Sequence, residues 1–383
     1  MIESNLVQNL SNLKNLPFSW KIEDFKDVVA DNSGGNKKLA KSQFLEEGDI
    51  AVVDQGKNLV AGFYNNPELI VKTEPPYVVF GDHTRAFKYV DFPFIMGADG
   101  TKILQPKKGN CNTKFLFYFF LSINVPNTGY NRHFKYLKEL KIPLPPLDQQ
   151  KQIAKILDTA DAYRQKTKAL LKKYDALTQS LFLDMFGDPV TNPKKWDKVK
   201  LNYLCDFKKK SIKPENIVDG ETYLGLECIE KVTGVILEKF IVQAGEIKSN
   251  KFWFNDEYIL YGKLRPYLNK VASPNFEGVC STDIIPIKPI KGKSAKEFII
   301  SLLRGSWFVA FADERSSGAN LPRISPKEVE KYQAINPPLE LQNQFGERVK
   351  AIEAQKALAQ QELDKADQLF NSLLQKAFKG ELV

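Results

Sequence analysis

The sequence has few of the residues that build metal sites, disulfide frameworks and histidine-based active sites. Its 383 residues include only two histidines and four cysteines. The cysteines lie far apart and form no Cys-x-x-Cys pair, which argues against a zinc ribbon or a disulfide framework and predicts reduced thiols. With only His83 and His133, histidine-based acid-base or metal chemistry has little to draw on.

Long apolar runs and nucleotide-binding loops are also missing. The longest apolar run, Phe115–Ile123, is far shorter than the roughly 18 residues that a membrane span requires, so we expect no membrane contact. Residues 1–5 lack the basic and apolar pattern of a secretion signal, which predicts a cytoplasmic protein. The chain has no Gly-x-x-x-x-Gly-Lys-Ser/Thr loop, and this argues against ATP binding.

What the sequence does contain is an excess of basic residues. It has 55 Lys and Arg against 46 Asp and Glu, a formal net charge of +9. Hydrophobic residues make up 43% of the chain, which is ordinary for a globular protein, and the length suffices for two or three domains. The charge favours a polyanionic partner such as a nucleic acid.

The chain repeats itself after 192 residues. Pro145–Gln150, Pro-Pro-Leu-Asp-Gln-Gln, has the pattern of Pro337–Gln342, Pro-Pro-Leu-Glu-Leu-Gln. Each copy opens a stretch of about forty residues without proline, which ends in Ser-Leu and a later phenylalanine. Gly187 after the first stretch and Gly380 after the second are typical of helix ends. The repeat therefore predicts two equivalent long helices.

Both stretches carry apolar residues at alternating steps of three and four, the heptad spacing of a coiled-coil seam. The simplest way to bury both stripes is for the helices, each on the order of 55–60 Å long, to pack on each other. A coiled coil with a second chain is the alternative reading of the helices alone. The residues expected to pack are Ile153, Ile156, Leu170, Leu177 and Leu181 in the first helix and Val349, Ile352, Leu363, Phe370 and Leu373 in the second.

The segment before each helix repeats more faintly. Phe115–Leu121 and Phe298–Leu303 have the character of equivalent buried helices, and a Gly-x-Asn loop follows each. We also match Gln55–Lys57 with Tyr261–Lys263, because each follows a strand-like apolar run. Most of the remainder has the pattern of short β segments separated by turns.

These patterns predict the α+β fold class with a pseudo-twofold internal repeat. Two similar mixed α/β globular domains are separated by two long antiparallel helices that pack as a coiled coil. The predicted boundaries are residues 1–145 for the first domain, 146–187 for the first helix, 188–336 for the second domain and 337–383 for the second helix.

Several motifs occur in a fixed order: Leu144–Gln150 leading into a long helix, Phe80–Arg85 in the first half, and Thr222–Glu230, Tyr261–Tyr267 and Cys280–Asp283 in the second half. They resemble the motifs of one protein family, the specificity subunits of Type I restriction-modification systems. The resemblance covers essentially the whole chain. Asn336 and Leu341 of the second copy depart from Leu144 and Gln149 of the first, which leaves open whether both helices engage partners equally.

The resemblance implies a function, a set of partners and a location for the cofactors. Each globular domain would be a target recognition domain that reads one half of a split, asymmetric sequence in double-stranded DNA. The paired helices would fix the spacing of the halves and dock two methyltransferase subunits, which restriction-translocase subunits would join. This chain would hold no cofactor, with S-adenosylmethionine, ATP and magnesium on the partner subunits.

Candidate DNA contacts follow from residue chemistry. Lysine and arginine contact phosphates, while arginine pairs with guanine and asparagine with adenine through two hydrogen bonds. For base reading the sequence favours Asn131 with Arg132, Asn320 with Arg323, and His83 with Arg85; a turn built by Gly and Asn is the alternative for the two Gly-x-Asn loops. The complete set is Lys57, His83, Arg85, Lys107, Lys108, Asn131 and Arg132 in the first half and Lys208, Lys209, Lys210, Lys263, Arg265, Asn320 and Arg323 in the second half.

Catalytic motifs are represented only by weak imitations. Asn336–Leu339, Asn-Pro-Pro-Leu, mimics the Asn-Pro-Pro-aromatic motif of amino-methyltransferases, but leucine stands where a ring must stack on the target base. Glu139–Lys141 and Glu246–Lys248 are Glu-x-Lys patterns without the paired acidic site of a nuclease. The sequence therefore predicts DNA binding without catalysis.

Two other functions stay open at this level. The recognition subunit of a fused methyltransferase-nuclease system would have the same domain plan. A coiled-coil scaffold whose globular ends bind other proteins would have the same repeat. Mapping the adenines methylated by a cognate catalytic partner distinguishes the two classes, because a scaffold would produce no split DNA motif.

Overall fold

A computed structural model of the chain describes residues 16–107, 109–129 and 131–383, which form two compact units. Unit 1 contains the described residues up to Thr167 together with Glu362–Val383, and unit 2 contains Lys168–Gln361. Each long helix therefore contributes one part to each unit. The sequence-based boundaries assign the helices to neither globular domain and stay a prediction.

Unit 1 contains short strands, short helices and part of each long helix. Its helices are α1 (Phe25–Val28), α2 (Thr113–Ser122), α3 (Phe134–Leu137) and the first part of the long helix α4 (Leu147–Phe186). Its strands are β1 (Lys21–Asp24), β2 (Val29–Asp31), β3 (Ile50–Val53), β4 (Gly62–Tyr64), β5 (Tyr77–Gly81), β6 (Phe87–Val90), β7 (Ile95–Met96), β8 (Thr101–Pro106) and β9 (Lys141–Leu144).

Unit 2 repeats this order with one additional helix and two additional strands. Its helices are α5 (Leu201–Leu204), α6 (Lys296–Arg304), α7 (Ser306–Glu314), α8 (Pro326–Glu330) and the first part of the long helix α9 (Leu339–Lys379). Its strands are β10 (Lys198–Lys200), β11 (Cys205–Asp206), β12 (Ser211–Ile212), β13 (Glu221–Leu224), β14 (Phe240–Val242), β15 (Lys251–Phe254), β16 (Ile259–Gly262), β17 (Val271–Ala272), β18 (Gly278–Cys280), β19 (Ile284–Pro289) and β20 (Gln333–Ile335).

The two units share a sheet topology. A four-stranded antiparallel sheet has the order β2-β8-β5-β6 in unit 1 and β11-β19-β16-β17 in unit 2. A second sheet contains a parallel pair in each unit, β3 with β7 and β13 with β18. The pairs β1 with β9 and β10 with β20 precede the long helices. The common order confirms the predicted α+β class, the similar domains and the internal repeat.

One predicted equivalence inside the repeat is wrong. Gly262 ends β16, and the strand in the corresponding sheet position of unit 1 is β5, which ends at Gly81. Tyr261–Lys263 therefore corresponds to the segment around Gly81, whereas Gln55–Lys57 follows β3 in the other sheet. The error arose because an apolar strand followed by a glycine and a lysine or aspartate occurs at several strand ends.

Aromatic side chains join the globular part of each unit to the long helices. In unit 1 the ring of Phe115, on α2, lies 5.2 Å from that of Phe378, on α9. In unit 2 the ring of Phe298, on α6, lies 5.7 and 4.9 Å from the rings of Phe182 and Phe186, on α4. Truncation of such buried rings costs on the order of 3–5 kcal/mol each, so these contacts hold each domain firmly on its helices.

A buried glutamine explains the repeated Pro-Pro-Leu pattern. Gln342, the last residue of the second copy, accepts a hydrogen bond from the Ala295 N–H at 3.0 Å and donates one to the Pro337 carbonyl at 2.8 Å. Gln150 of the first copy accepts from the Asn112 N–H at 2.8 Å and donates to the Pro145 carbonyl at 2.8 Å. Each glutamine thus ties the start of a long helix to the start of the helix packed against it.

We expect Gln342→Leu to lower the free energy of unfolding of unit 2 by about 2 kcal/mol, because it leaves a buried N–H and a buried carbonyl without partners. Chemical denaturation followed by tryptophan fluorescence measures the change. Gln344→Leu, at an exposed position two residues further along α9, is the control and should leave stability almost unchanged. Equal stability of the two variants would contradict this role of Gln342.

The long helices run antiparallel in each unit. In unit 1 the Arg164 Nε donates to the Asp367 carboxylate at 2.6 Å, and in unit 2 the Lys356 Nζ donates to Asp175 at 2.5 Å. Arg164 and Lys356 are 192 residues apart, and so are the two aspartates, so the ion pairs are copies under the internal repeat. The Arg164 and Lys356 side chains are only 18% and 16% exposed, so each needs its carboxylate partner.

Two of the predicted packing residues of the first helix, Leu170 and Leu177, are wrong. Leu170 and Leu177 are 38% and 49% exposed and so do not pack in the seam, whereas Arg164 is half-buried and pairs with Asp367 of the other helix. The prediction chose apolar residues, whereas ion pairs let a cation occupy the seam. The other predicted residues are buried (Ile153, Val349, Leu363 and Phe370) or half-buried (Ile156, Leu181, Ile352 and Leu373).

Neither long helix, nor any shorter helix in the described part of the chain, combines the length and apolar character that crossing a bilayer demands.

Candidate nucleic-acid interface

Two loops of unit 2 come together at the end of β16. The first, residues 263–266, follows β16 directly, and the second is the hairpin of residues 317–323. Leu264 forms a β-bridge with Arg323, and the Arg265 N–H donates to the Pro322 carbonyl at 2.7 Å. The structure thus brings Lys263, Arg265, Asn320 and Arg323, four of the predicted DNA contacts, into one cluster.

Asp283 lies at the centre of this cluster, just before β19. The Arg323 guanidinium donates two hydrogen bonds to its carboxylate, at 3.0 and 3.2 Å, and the Lys263 Nζ lies 3.8 Å from it. These bonds with Arg323 hold the pKa of Asp283 below its ordinary value. The guanidinium edge of Arg323 that could read a guanine is therefore occupied by Asp283.

Arg265 and Asn320 are the exposed members of the cluster. Arg265 has a left-handed backbone, with a φ of 52°, which non-glycine residues rarely adopt. Its Nη2 lies 3.5 Å from the Asn320 carbonyl oxygen, and both side chains face solvent. Their donors are available to a ligand.

The lysine tract Lys208–Lys210 lies beside this cluster. Burial lowers the pKa of Lys209, and the nearby charge of Lys263 lowers it further. Lys209 also lies over the Phe252 ring, with its Nζ 4.9 Å from the ring centroid, while Lys208 and Lys210 are exposed. Lys208 and Lys210 thus add exposed positive charge beside the loop cluster.

In unit 1 a buried aspartate joins two loops at the end of β5. The Asp82 carboxylate accepts a hydrogen bond from the Phe134 N–H at 2.7 Å, and its carbonyl accepts one from the His133 N–H at 3.0 Å. The His83 N–H donates to the Gln55 Oε1 at 3.2 Å, which ties in the loop after β3. The loops that carry Lys57, His83 and Arg132 are thereby held together.

The predicted residues of these loops differ in availability. Arg85 has a left-handed backbone, with a φ of 63°, and its Nη1 donates to the Val125 carbonyl at 3.2 Å. The Asn131 side chain donates a hydrogen bond to the Thr128 carbonyl, as expected if Asn131 stabilises a turn, which was the alternative to base reading. The residue is nevertheless exposed. Lys57 and Arg132 are exposed. Arg132 lines a cleft of about 320 Å³ with Lys38 and Lys102.

Two predicted lysines lie elsewhere. Lys107 follows β8 at the end opposite to the Asp82 loop, and its Nζ donates to the Lys26 carbonyl at 2.5 Å. The length of β8 places it roughly 20 Å from the loops described above. Lys108 lies outside the described residues.

The sequence prediction missed Asp82 and Asp283. A carboxylate is not an obvious component of a DNA-binding surface, and its role here is to join loops. Both aspartates nevertheless lie inside motifs that resemble the family, Phe80–Arg85 and Cys280–Asp283. Their position within these motifs was the signal that could have identified them. The left-handed arginines have no sequence signal, because the conformation depends on contacts with distant segments.

No group of three or more His, Cys, Asp or Glu side chains among the described residues is arranged to hold a metal ion. Burial raises the pKa of Cys111, Cys205 and Cys280 to about 12, which keeps these thiols protonated.

Comparisons with known proteins agree with this architecture. A family model described as the Type I restriction modification DNA specificity domain matches residues 17–173 and 193–368. The specificity subunit of the Type I restriction enzyme EcoDI of Escherichia coli is 25% identical over 316 residues, 70% of each chain. The EcoKI specificity subunit of Escherichia coli strain K12 is 26% identical over 274 residues, 63% of this chain and 58% of that protein.

A solved structure supports the fold. The S subunit of a Type I restriction-modification system from M. genitalium aligns with a TM-score of 0.59 over 95% of this chain and 96% of that one. Its sequence identity is 16%, so this likeness concerns the fold alone.

Proposed function

This chain belongs to the Type I restriction-modification specificity family, and on that premise we propose that it is a non-catalytic, sequence-specific DNA-recognition subunit. Each unit would read one half of a bipartite target. The observation that carries the proposal is that two units of the same topology each place basic and amide side chains on joined loops at the end of equivalent strands, β5 and β16.

We assign phosphate contacts and base contacts to different residues. The lysines Lys57, Lys208 and Lys210 are exposed and suited to phosphates, which supply affinity without sequence choice. Arg132, Arg265 and Asn320 are exposed on the joined loops and suited to base edges. Arg323 and Arg85 are bonded within the protein, so we assign them to loop structure in the absence of DNA.

We propose that the antiparallel helices fix the spacing of the two half-sites. DNA half-sites must be held at a defined distance and rotation, which a flexible linker would blur. Support comes from the unbroken course of α4 and α9, which are 40 and 41 residues long, and from the two repeat-related ion pairs that favour one register.

The exposed leucines of α4 support partner docking. Leu170 and Leu177 are seven residues apart and therefore lie on one helix face, with Lys173 between them. An exposed apolar and basic face fits an amphipathic helix that carries apolar and acidic residues. We propose that methyltransferase subunits provide this contact and that restriction-translocase subunits join through them.

We expect Leu170→Asp with Leu177→Asp to weaken co-purification with the methyltransferase subunit at least about tenfold, because charges replace buried apolar contacts. The circular dichroism spectrum and melting temperature should not change, since both positions are exposed in this chain. Gln165→Asp, on another side of α4, is the control. Unchanged co-purification of the double variant would rule out this face.

We propose that the partner subunits carry out all of the chemistry. S-adenosylmethionine, ATP and magnesium would bind there, and this chain would contribute DNA binding and geometry. Absence of a nucleotide loop from the sequence and the donor-rich character of the joined loops support this division. The site of action would be the cytoplasm, where the DNA and the partner subunits are present.

Methylation mapping tests the proposal. A host carrying this gene with its cognate methyltransferase gene should show methylated adenines in one split motif, and a host with the methyltransferase gene alone should not. Identical methylation in both hosts, or methylation without a motif, would contradict the proposed function.

A further inference from the structure

Asp283 is a carboxylate in the middle of a positively charged loop cluster. Its charge repels phosphates, so it opposes the affinity that the exposed Lys208 and Lys210 would provide beside it. It also occupies the guanidinium of Arg323 through two hydrogen bonds, at 3.0 and 3.2 Å. A surface selected for affinity alone would gain from its loss, so its contribution must be of another kind.

We infer that Asp283 is a positioning residue that determines which base unit 2 selects, because it fixes the loop that presents Arg265 and Asn320. The inference rests on the proposed function of DNA reading and names a specificity determinant within it. Asp283 itself would touch no base; it would act through Arg323.

A continuous series of contacts leads from Asp283 to the exposed side chains. Asp283 holds the Arg323 side chain, and the Arg323 backbone pairs with Ser317 across the hairpin and with Leu264 of the first loop. This places the Pro322 carbonyl 2.7 Å from the Arg265 N–H. The Asp283 backbone adds a second tie, because its carbonyl accepts a hydrogen bond from the Lys263 N–H at 2.9 Å.

The left-handed backbone of Arg265 makes its side-chain direction depend on these contacts. A non-glycine residue with a φ of 52° persists only where its surroundings hold it. If the hairpin moves, Arg265 can relax to an ordinary backbone conformation, and its guanidinium then points elsewhere. A base contact that needs two aligned hydrogen bonds would not survive that change.

In unit 1 an aspartate also joins two loops, but through different residues. There Asp82 lies on the loop after β5, and its carboxylate binds the Phe134 N–H at the start of α3 at 2.7 Å. In unit 1 an aspartate thus joins the loop after β5 to the start of α3, and in unit 2 an aspartate joins the loop after β16 to the hairpin that leads into α8. The two aspartates lie at different positions along their units, yet both join loops. This recurrence supports a role for Asp283 in positioning the loops.

The test compares Asp283→Asn with Glu257→Gln in the full complex with its methyltransferase. Glu257 pairs with Lys288 at 2.7 Å at the opposite end of β16 and β19, so this control removes an equal charge from the same strand pair. For Asp283→Asn we expect a relaxed motif in one half of the target and at least about tenfold slower methylation of the original site. The other half of the motif should persist, and Glu257→Gln should keep the whole motif.

Arg323→Lys provides an independent variant, because lysine keeps the charge but cannot form the two-bond contact with Asp283. It should relax the same half of the motif even if Asp283→Asn fails to fold. A uniform loss of methylation with an unchanged motif in the variants would overturn the inference and leave a purely structural role. Failure of the wild-type complex to give any split motif would instead overturn the proposed function.

Discussion

Replacing residues 190–336 with the corresponding domain of another family member is expected to change one half of the methylated sequence completely and to leave the other half as it was. The replaced segment contains the joined loops with Arg265 and Asn320, whereas the loops with Arg132 lie in unit 1. Each half-site contact then depends on its own unit, and base discrimination of about 1–3 kcal/mol per contact moves with the domain.

The replacement domain must keep the contacts that join unit 2 to the long helices. It needs an aromatic residue at the position of Phe298, which packs on Phe182 and Phe186, and a backbone N–H at the position of Ala295 for Gln342. The reciprocal exchange of residues 17–145 is the control and should change the other half of the motif. Methylation mapping reads both exchanges, and a change in both halves after a single exchange would contradict independent reading.

Insertion of four residues into both long helices, after Ala169 and after Gln361, is expected to lengthen the preferred spacer between the half-sites. Four residues add about 6 Å and about 40° beyond a full helical turn. One base pair adds about 3.4 Å and about a tenth of a turn, so we expect a spacer longer by about one to two base pairs. The insertion sites lie between the two ion pairs on each helix, which leaves both pairs intact.

The control is a four-residue insertion after Gly292, in a turn of unit 2 where a Cβ added to the glycine would meet no atom of another segment within 4 Å. This variant should keep the original spacer. If the doubly lengthened protein still methylated the original spacer best, the helices would not set the distance between the half-sites.

The two long helices could be predicted from the sequence because each is specified by a continuous stretch of about forty residues, and the two stretches have the same pattern. Pro145–Gln150 and Pro337–Gln342 predicted two helices, which the structure has as α4 and α9. The function of the pattern was not visible, since Gln150 and Gln342 act through backbone groups of distant segments. Local spacing thus predicts elements, while the contacts that join them depend on the fold.

The candidate site was harder to predict. Residue type drew attention to the loops around Arg265 and Asn320, which the structure brings together, but Arg323 proved to be bonded to Asp283, and Leu170 proved to be exposed. An arginine has the same chemistry whether it faces a base or an aspartate, and a leucine whether it faces a core or a partner. The tertiary structure decides between these environments.

The most direct test of two readers held at a fixed spacing is methylation of a DNA library that keeps both mapped half-sites and varies the spacer one base pair at a time. We expect strong methylation at one spacer length and loss of methylation at lengths on either side. Equal methylation at all lengths, or methylation of DNA that carries one half-site alone, would contradict it.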